Sequence, residues 1–146
     1  MHIRFYLCWV LLLASGTNGN SQAIAREIPC SKSPDSIIGF WEYRPASYGR
    51  QKHPLIIYLH GIGERGNGRS DLSLLRAQAI PALFTKQNAF SVKSNGKQWD
   101  FVVLAPQLSR QFGAWPTWYV EAMIRWAKTS LDIDTNRIYL TGISLG

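Results

Sequence analysis

Two stretches of this chain are apolar without interruption for the length of a strand: PLIIYLHG, from Pro54 to Gly61, and DFVVLAPQ, from Asp100 to Gln107. A strand with one wet face alternates apolar and polar residues, because successive side chains point to opposite faces. These two runs do not alternate, so both of their faces must be covered. A sheet built from such strands is parallel over much of its width and carries helices on both sides, which defines an α/β domain. In such sheets ligands bind beyond the carboxyl ends of the strands. A site is therefore expected in the loops that leave these runs.

The remaining segments fit that plan. SIIGFWEYRPAS, from Ser36, is rich in β-formers and closes at Pro45, as an amino-terminal strand would. SDLSLLRAQAI reads as a helix, with Ser70 as N-cap and Leu72, Leu75 and Ala79 at helical spacing; Pro81 ends it or starts a second short one. FSVKSNGKQWD contains the turn pair Asn95-Gly96 and reads as a connection holding a small hairpin. PTWYVEAMIRWAKTSL is an amphipathic helix with Val120, Met123, Ile124, Ala127 and Leu131 in one stripe. DIDTN is a solvated turn: it begins like a calcium loop, but Arg137 stands where that loop needs Gly. RIYLTG is a third strand, and it leads into GISLG, Gly142 to Gly146.

The amino terminus differs in kind. MHIR carries positive charge, FYLCWVLLLASG is too short an apolar run to span a bilayer as a permanent helix, and SQA or AIA supplies small residues. Residues 1–23 are expected to be a secretory signal peptide, cleaved after Ala23 or Ala25, with one domain over 24–146 and a secreted or periplasmic destination. Cleavage removes Cys8 and leaves Cys30 as a free thiol, or as the partner of a cysteine outside these residues. No second spanning segment comes after the leader, so no stable membrane span is expected after cleavage. The formal net charge of +7 comes from Lys and Arg scattered singly rather than as a basic stripe, which argues against a nucleic-acid partner.

LHGIGERGNG, after the first apolar run, reads two ways. Gly61, Gly63 and Gly66 spell the G-x-G-x-x-G of a dinucleotide cradle. That cradle wants an acidic residue roughly twenty positions on, to hold a ribose. Counting from Gly66 gives Lys86 and Gln87, and the next strand ends in Pro106-Gln107, so the fingerprint fails. The other reading joins this loop to GISLG, a G-x-S-x-G between a strand and an expected helix. A nucleophilic serine needs a sharp, strained turn to expose its hydroxyl, with small residues two places to either side. Ser144 is then the nucleophile, and Gly142 and Gly146 shape its turn. The backbone N–H groups of Leu145 and Ile62 form the oxyanion hole, with Gly61 and Gly63 allowing the first loop to come close. His60 is on the wrong side of that turn for a base and reads as a hydrogen-bonded structural histidine. Trp115 and Trp118, with Arg110 nearby, are placed either to contact substrate by stacking on a sugar or aromatic acyl group, or to pack at the helix entrance.

With PLIIYLHGIGERG, FVVLAPQ and DTNRIYLTGISLG in this order, the chain resembles the α/β-hydrolase superfamily, and within it the secreted bacterial serine esterases related to feruloyl and acetyl-xylan esterases, polyhydroxybutyrate depolymerases and predicted peptidases. The resemblance implies a mostly parallel sheet with helices on both faces. It also implies a Ser144 acyl-enzyme, a small-molecule or polysaccharide-linked ester as substrate, and no metal or organic cofactor. Its triad runs Ser, acid, His along the chain. Here His2, His53, His60 and all nine acidic residues precede Ser144. The expectation is accordingly the amino-terminal part of an esterase, inactive alone, whose sheet stops at the nucleophile turn. A prolyl-oligopeptidase-type peptidase and a non-catalytic binding protein on the same scaffold are the alternatives.

Overall fold

A computed structural model describes residues 20–87 and 90–146. The leader through residue 19, with His2 and Cys8, lies outside the described residues. No helix among them is long and apolar enough to cross a membrane.

A five-stranded sheet is formed by β1 (Gln22–Pro29), β2 (Ile37–Arg44), β3 (His53–Leu59), β6 (Val102–Pro106) and β7 (Ile133–Gly142), in the spatial order β1-β2-β6-β3-β7. β6, β3 and β7 are mutually parallel, β2 runs against β6, and β1 runs against β2. Only β2 therefore points the other way, and the sheet is mixed but mostly parallel, as expected. Every residue of β3 and β6 is buried. Their odd and even positions divide between two cores. Leu55, Ile57, Leu59 and Leu104 face helix α2 (Thr117–Ser130) through Tyr119, Met123 and Ala127. Ile56, Tyr58, Val103 and Ala105 form the other core with Phe84 of α1 (Ala79–Gln87). Fully burying one such aliphatic side chain stabilises the fold by about 1.5–3 kcal/mol, which is why the uninterrupted runs dictate a covered sheet. The connections leaving β3 and β6 reach opposite faces, and a crevice opens between such diverging connections.

Several local expectations hold. The Asn95-Gly96 pair joins β4 (Ser91–Ser94) to β5 (Lys97–Asp100), both turn residues having positive φ (50° and 72°), as a two-residue hairpin turn of primed type requires. SIIGFWEYRPAS supplies β2, which stops at Arg44 before Pro45.

Two expectations are corrected, and one strand was not foreseen. SDLSLLRAQAI is not one α-helix capped by Ser70. Ser70–Ala77 is a 3₁₀ helix, and α1 begins only at Ala79, whose φ of +50° breaks the path between them. The capping work belongs to Asn67, whose side-chain oxygen accepts the N–H groups of Arg69 (2.9 Å) and Asp71 (3.2 Å). DIDTN is not a free turn, because β7 already starts at Ile133 opposite His53. Its turn chemistry survives inside an irregularity of the ladder, where the Asp134 carboxylate accepts the Asn136 N–H and pairs with Arg137. Finally, QAIAREIP, read only for its small residues, forms β1 in continuous register with β2 from Gln22↔Arg44 to Pro29↔Ile37. The strand is fastened by Glu42, a fully buried carboxylate that accepts from Arg26 of β1 (2.9 Å) and from Arg44. A buried charge needs such partners, and removing either is destabilising.

Candidate active site

At the carboxyl ends of β3 and β7 the two glycine motifs meet. Ser144 has φ +57°, a left-handed conformation that costs a non-glycine residue about 1–3 kcal/mol and persists only where the surroundings impose it. The surroundings are backbone. The Ile143 N–H donates to the Leu59 carbonyl (3.1 Å), which anchors the turn to the end of β3, and the Gly146 N–H closes it on the Ile143 carbonyl (3.0 Å). A Cβ on Gly142 would lie 2.6 Å from the carbonyl carbon of Gly146 and 2.8 Å from the Leu59 oxygen; one on Gly146 would lie 2.2 Å from that oxygen. The outer glycines of G-x-S-x-G are thus required by contact with each other and with β3.

Gly61 faces this turn, since a Cβ there would stand 3.4 Å from Ser144 Cβ and 3.3 Å from Glu64 Oε2. Ser144, Ile143, Gly61, Ile62, Glu64 and Gln78 border a cleft of about 220 Å³. Ile62 opens a 3₁₀ turn, Ile62–Glu64, so its N–H has no acceptor within that turn. Leu145 is half-buried with its side chain against the α2-facing core. Gly63 behaves differently from what close approach predicts: a Cβ there would meet nothing within 4 Å.

His60 is 1% exposed and has both ring nitrogens engaged. Nε2 accepts the Leu108 N–H (2.9 Å), which leaves the ring proton on Nδ1 to donate to the Gly61 carbonyl (2.6 Å). The ring is a strut between the two loops, as expected for a structural histidine, and has no lone pair free for Ser144. Burial pushes its pKa below 6.5, opposed by the Gly61 hydrogen bond and by Glu64, whose Oε2 is 3.9 Å from Nδ1. A base whose folded pKa is lowered binds fewer protons than in the unfolded chain. Its stabilisation is complete above the unfolded value and is lost as pH falls through the lowered one. The expected result is a denaturation midpoint that falls as pH drops below about 6.5, with the His60 ring of the folded protein keeping the ¹⁵N shifts of the neutral Nδ1–H tautomer to lower pH than a histidine of the unfolded chain. A folded-state ring that takes up its second proton at the same pH as in the unfolded chain, or above it, would contradict this.

The described residues contain one other histidine, His53, at the opposite end of β3. Trp115 and Arg110, read either as substrate contacts or as packing at the helix entrance, are not among the residues that border the cleft. The Trp115 indole N–H donates to the His60 carbonyl (3.2 Å), and its ring packs edge-on to His60 with centroids 4.9 Å apart. Arg110 pairs with Asp71 (3.2 Å) and donates to the Arg65 carbonyl. Trp118 stacks on Tyr119 instead of reaching Ser144. These contacts are those of helix-entry packing and loop bracing.

Two residues that organise the site escaped sequence reasoning. Gln107, buried just past β6, donates from Nε2 to the carbonyls of Glu64 and Asp71 (both 2.8 Å) and accepts the Gly68 N–H at Oε1 (2.9 Å). One amide thereby holds both arms of the loop that carries Ile62. Glu64 brings a mostly buried carboxylate to the cleft wall, and together with burial it raises the pKa of Tyr58. Gln107 is recognisable only as a polar residue directly after a buried strand, and Glu64 as the acid inside a glycine-rich loop.

No family model and no curated protein matches the chain. Solved structures do. A thermostable esterase superposes with a TM-score of 0.56 at 24% identity, over 85% of this chain and 35% of its own. A ferulic acid esterase from Anaeromyces mucronatus gives 0.52 at 16% identity over 86% and 50%. An S-formylglutathione hydrolase from Agrobacterium tumefaciens gives 0.51 at 13% over 88% and 50%. The chain spans between a third and a half of the length of these proteins. The likeness is one of fold: the mostly parallel sheet with helices on both faces is part of the α/β-hydrolase fold that these neighbours match.

Proposed function

We propose that this chain carries the nucleophile and the oxyanion loop of a secreted serine hydrolase acting on carboxylic esters. The observation that carries the reading is Ser144, held at positive φ by two glycines that touch the Leu59 carbonyl and facing the Gly61–Glu64 loop across a shared cleft. Ser144 Oγ attacks the ester carbonyl carbon and loses its proton to a base. The N–H groups of Leu145 and Ile62 take the oxyanion of the tetrahedral intermediate, the alcohol departs with a proton, and water then releases the acid from the acyl-enzyme. The reading places the base and its orienting acid outside the described residues, since among these His60 is committed to the loops and His53 is at the far end of β3. The small cleft and the esterases among the structural neighbours support a small ester group as the part bound at Ser144. Secretion is supported by the leader-like composition of the amino terminus.

The test is labelling of the whole protein with a fluorophosphonate. Mass spectrometry should place the adduct on Ser144, and Ser144→Ala should abolish it. An adduct on a different serine, or undiminished labelling of the variant, overturns the reading.

A further inference from the structure

α2 is apolar around more of its circumference than the sheet covers. Tyr119, Met123 and Ala127 are buried in the core, whereas Trp118, Ala122 and Trp126, spaced i, i+4 and i+8, form a second, half-buried stripe. That stripe is one wall of a groove of about 690 Å³, and Ile28 at the end of β1, with the turn through Lys32, is the other. Such a volume falls in the range of small-molecule sites, roughly 300–1,000 Å³.

Both indoles are fixed before any ligand arrives. Trp126 meets Phe40 edge-on, with centroids 4.8 Å apart, and Trp118 stacks on Tyr119 at 4.3 Å. Rigid aromatic walls lose little entropy on binding and favour a flat apolar partner. The charge on the groove is one-sided. Lys32 and Arg125 border it and no carboxylate does. Among the described residues neither forms an ion pair, although Arg26, Arg44, Arg69, Arg110 and Arg137 each pair with an acid. Two uncompensated cations over an indole-lined floor complement an organic anion with a planar apolar body.

The geometry points to a second binding site, in the groove between α2 and the end of β1, for an aromatic carboxylate. None of its residues borders the Ser144 cleft, so it stands or falls independently of the ester-hydrolase reading.

The experiment titrates 2-naphthoate, and separately the neutral 2-naphthylmethanol, into the full chain while following indole ¹H–¹⁵N signals, assigned with Trp118→Phe and Trp126→Phe. Saturable shifts are expected at the indoles of Trp118 and Trp126. The neutral alcohol should bind at least about fivefold more weakly than the carboxylate, the scale of one partly exposed charge interaction. A Lys32→Gln/Arg125→Gln variant should lose that about fivefold preference while its thermal midpoint and its affinity for the alcohol stay unchanged. The proposal is overturned by equal affinity for the two compounds, by a charge preference that survives in the double variant, or by the absence of saturable shifts at these two indoles.

Discussion

Gly39→Ala is expected to cost about 3 kcal/mol or more, a large part of the stability of a domain this size. Gly39 lies within β2, and a Cβ there would fall 1.8 Å from the carbonyl oxygen of Gly68, 2.4 Å from its carbonyl carbon and 2.5 Å from its Cα. Both partners are backbone, so no side-chain rotation can relieve the overlap. Neither can move alone. The Gly39 carbonyl accepts the Gln107 N–H (2.8 Å), and Gly68, itself at φ +72°, donates to the Gln107 side chain. The substitution therefore pushes the loop carrying Ile62 off the sheet and strains the amide that holds it. Urea denaturation checks this, with Gly113→Ala as comparison, where a Cβ meets nothing within 4 Å and the change should stay within about 0.5 kcal/mol. Equal midpoints for the two variants would mean that the loop does not rest on β2 as described.

Gly142→Ala should act on chemistry. Its Cβ would overlap the Gly146 carbonyl carbon and the Leu59 oxygen, the contacts that hold Ser144 at φ +57°. The turn must open by several tenths of an ångström or more, carrying Oγ and the Leu145 N–H with it. Misplacement of reacting groups by about 1 Å commonly costs on the order of a hundredfold in rate. In the whole protein, fluorophosphonate labelling of Ser144 is expected to slow by about that factor, while far-ultraviolet circular dichroism stays close to that of the parent. A labelling rate within about twofold of the parent would show that the turn tolerates a side chain and that its glycines are not what poises the serine.

Fold class was legible because burial on both faces is written into every position of PLIIYL and VVLAP, a property no turn or surface strand shares. The hairpin was legible because Asn-Gly is one of the few pairs that suit two successive positive φ values. β1 was not, since its pairing with β2 is made by backbone groups that every residue possesses and by a salt bridge between residues 16 apart in sequence. The break between the 3₁₀ helix and α1 was equally hidden, because helical spacing continues across Ala79 while its backbone does not.

The site divides along the same line. Ser144 and its flanking glycines come from local chemistry, as a strained strand-to-helix turn has few sequence solutions. By itself the sequence settled that the sheet is covered on both faces, that a serine turn ends β7 and that a glycine loop comes after β3. Tertiary structure alone decided which partners His60 bonds, that Gln107 is a strut between loops, and that Trp115 packs on His60 while Arg110 pairs with Asp71. It also showed that Glu64 stands in the cleft wall and that Gly63 is free of close contact. The physical reason is that those roles consist of hydrogen bonds and approaches between segments some 40 to 55 residues apart, whose partners are fixed only when the strands align.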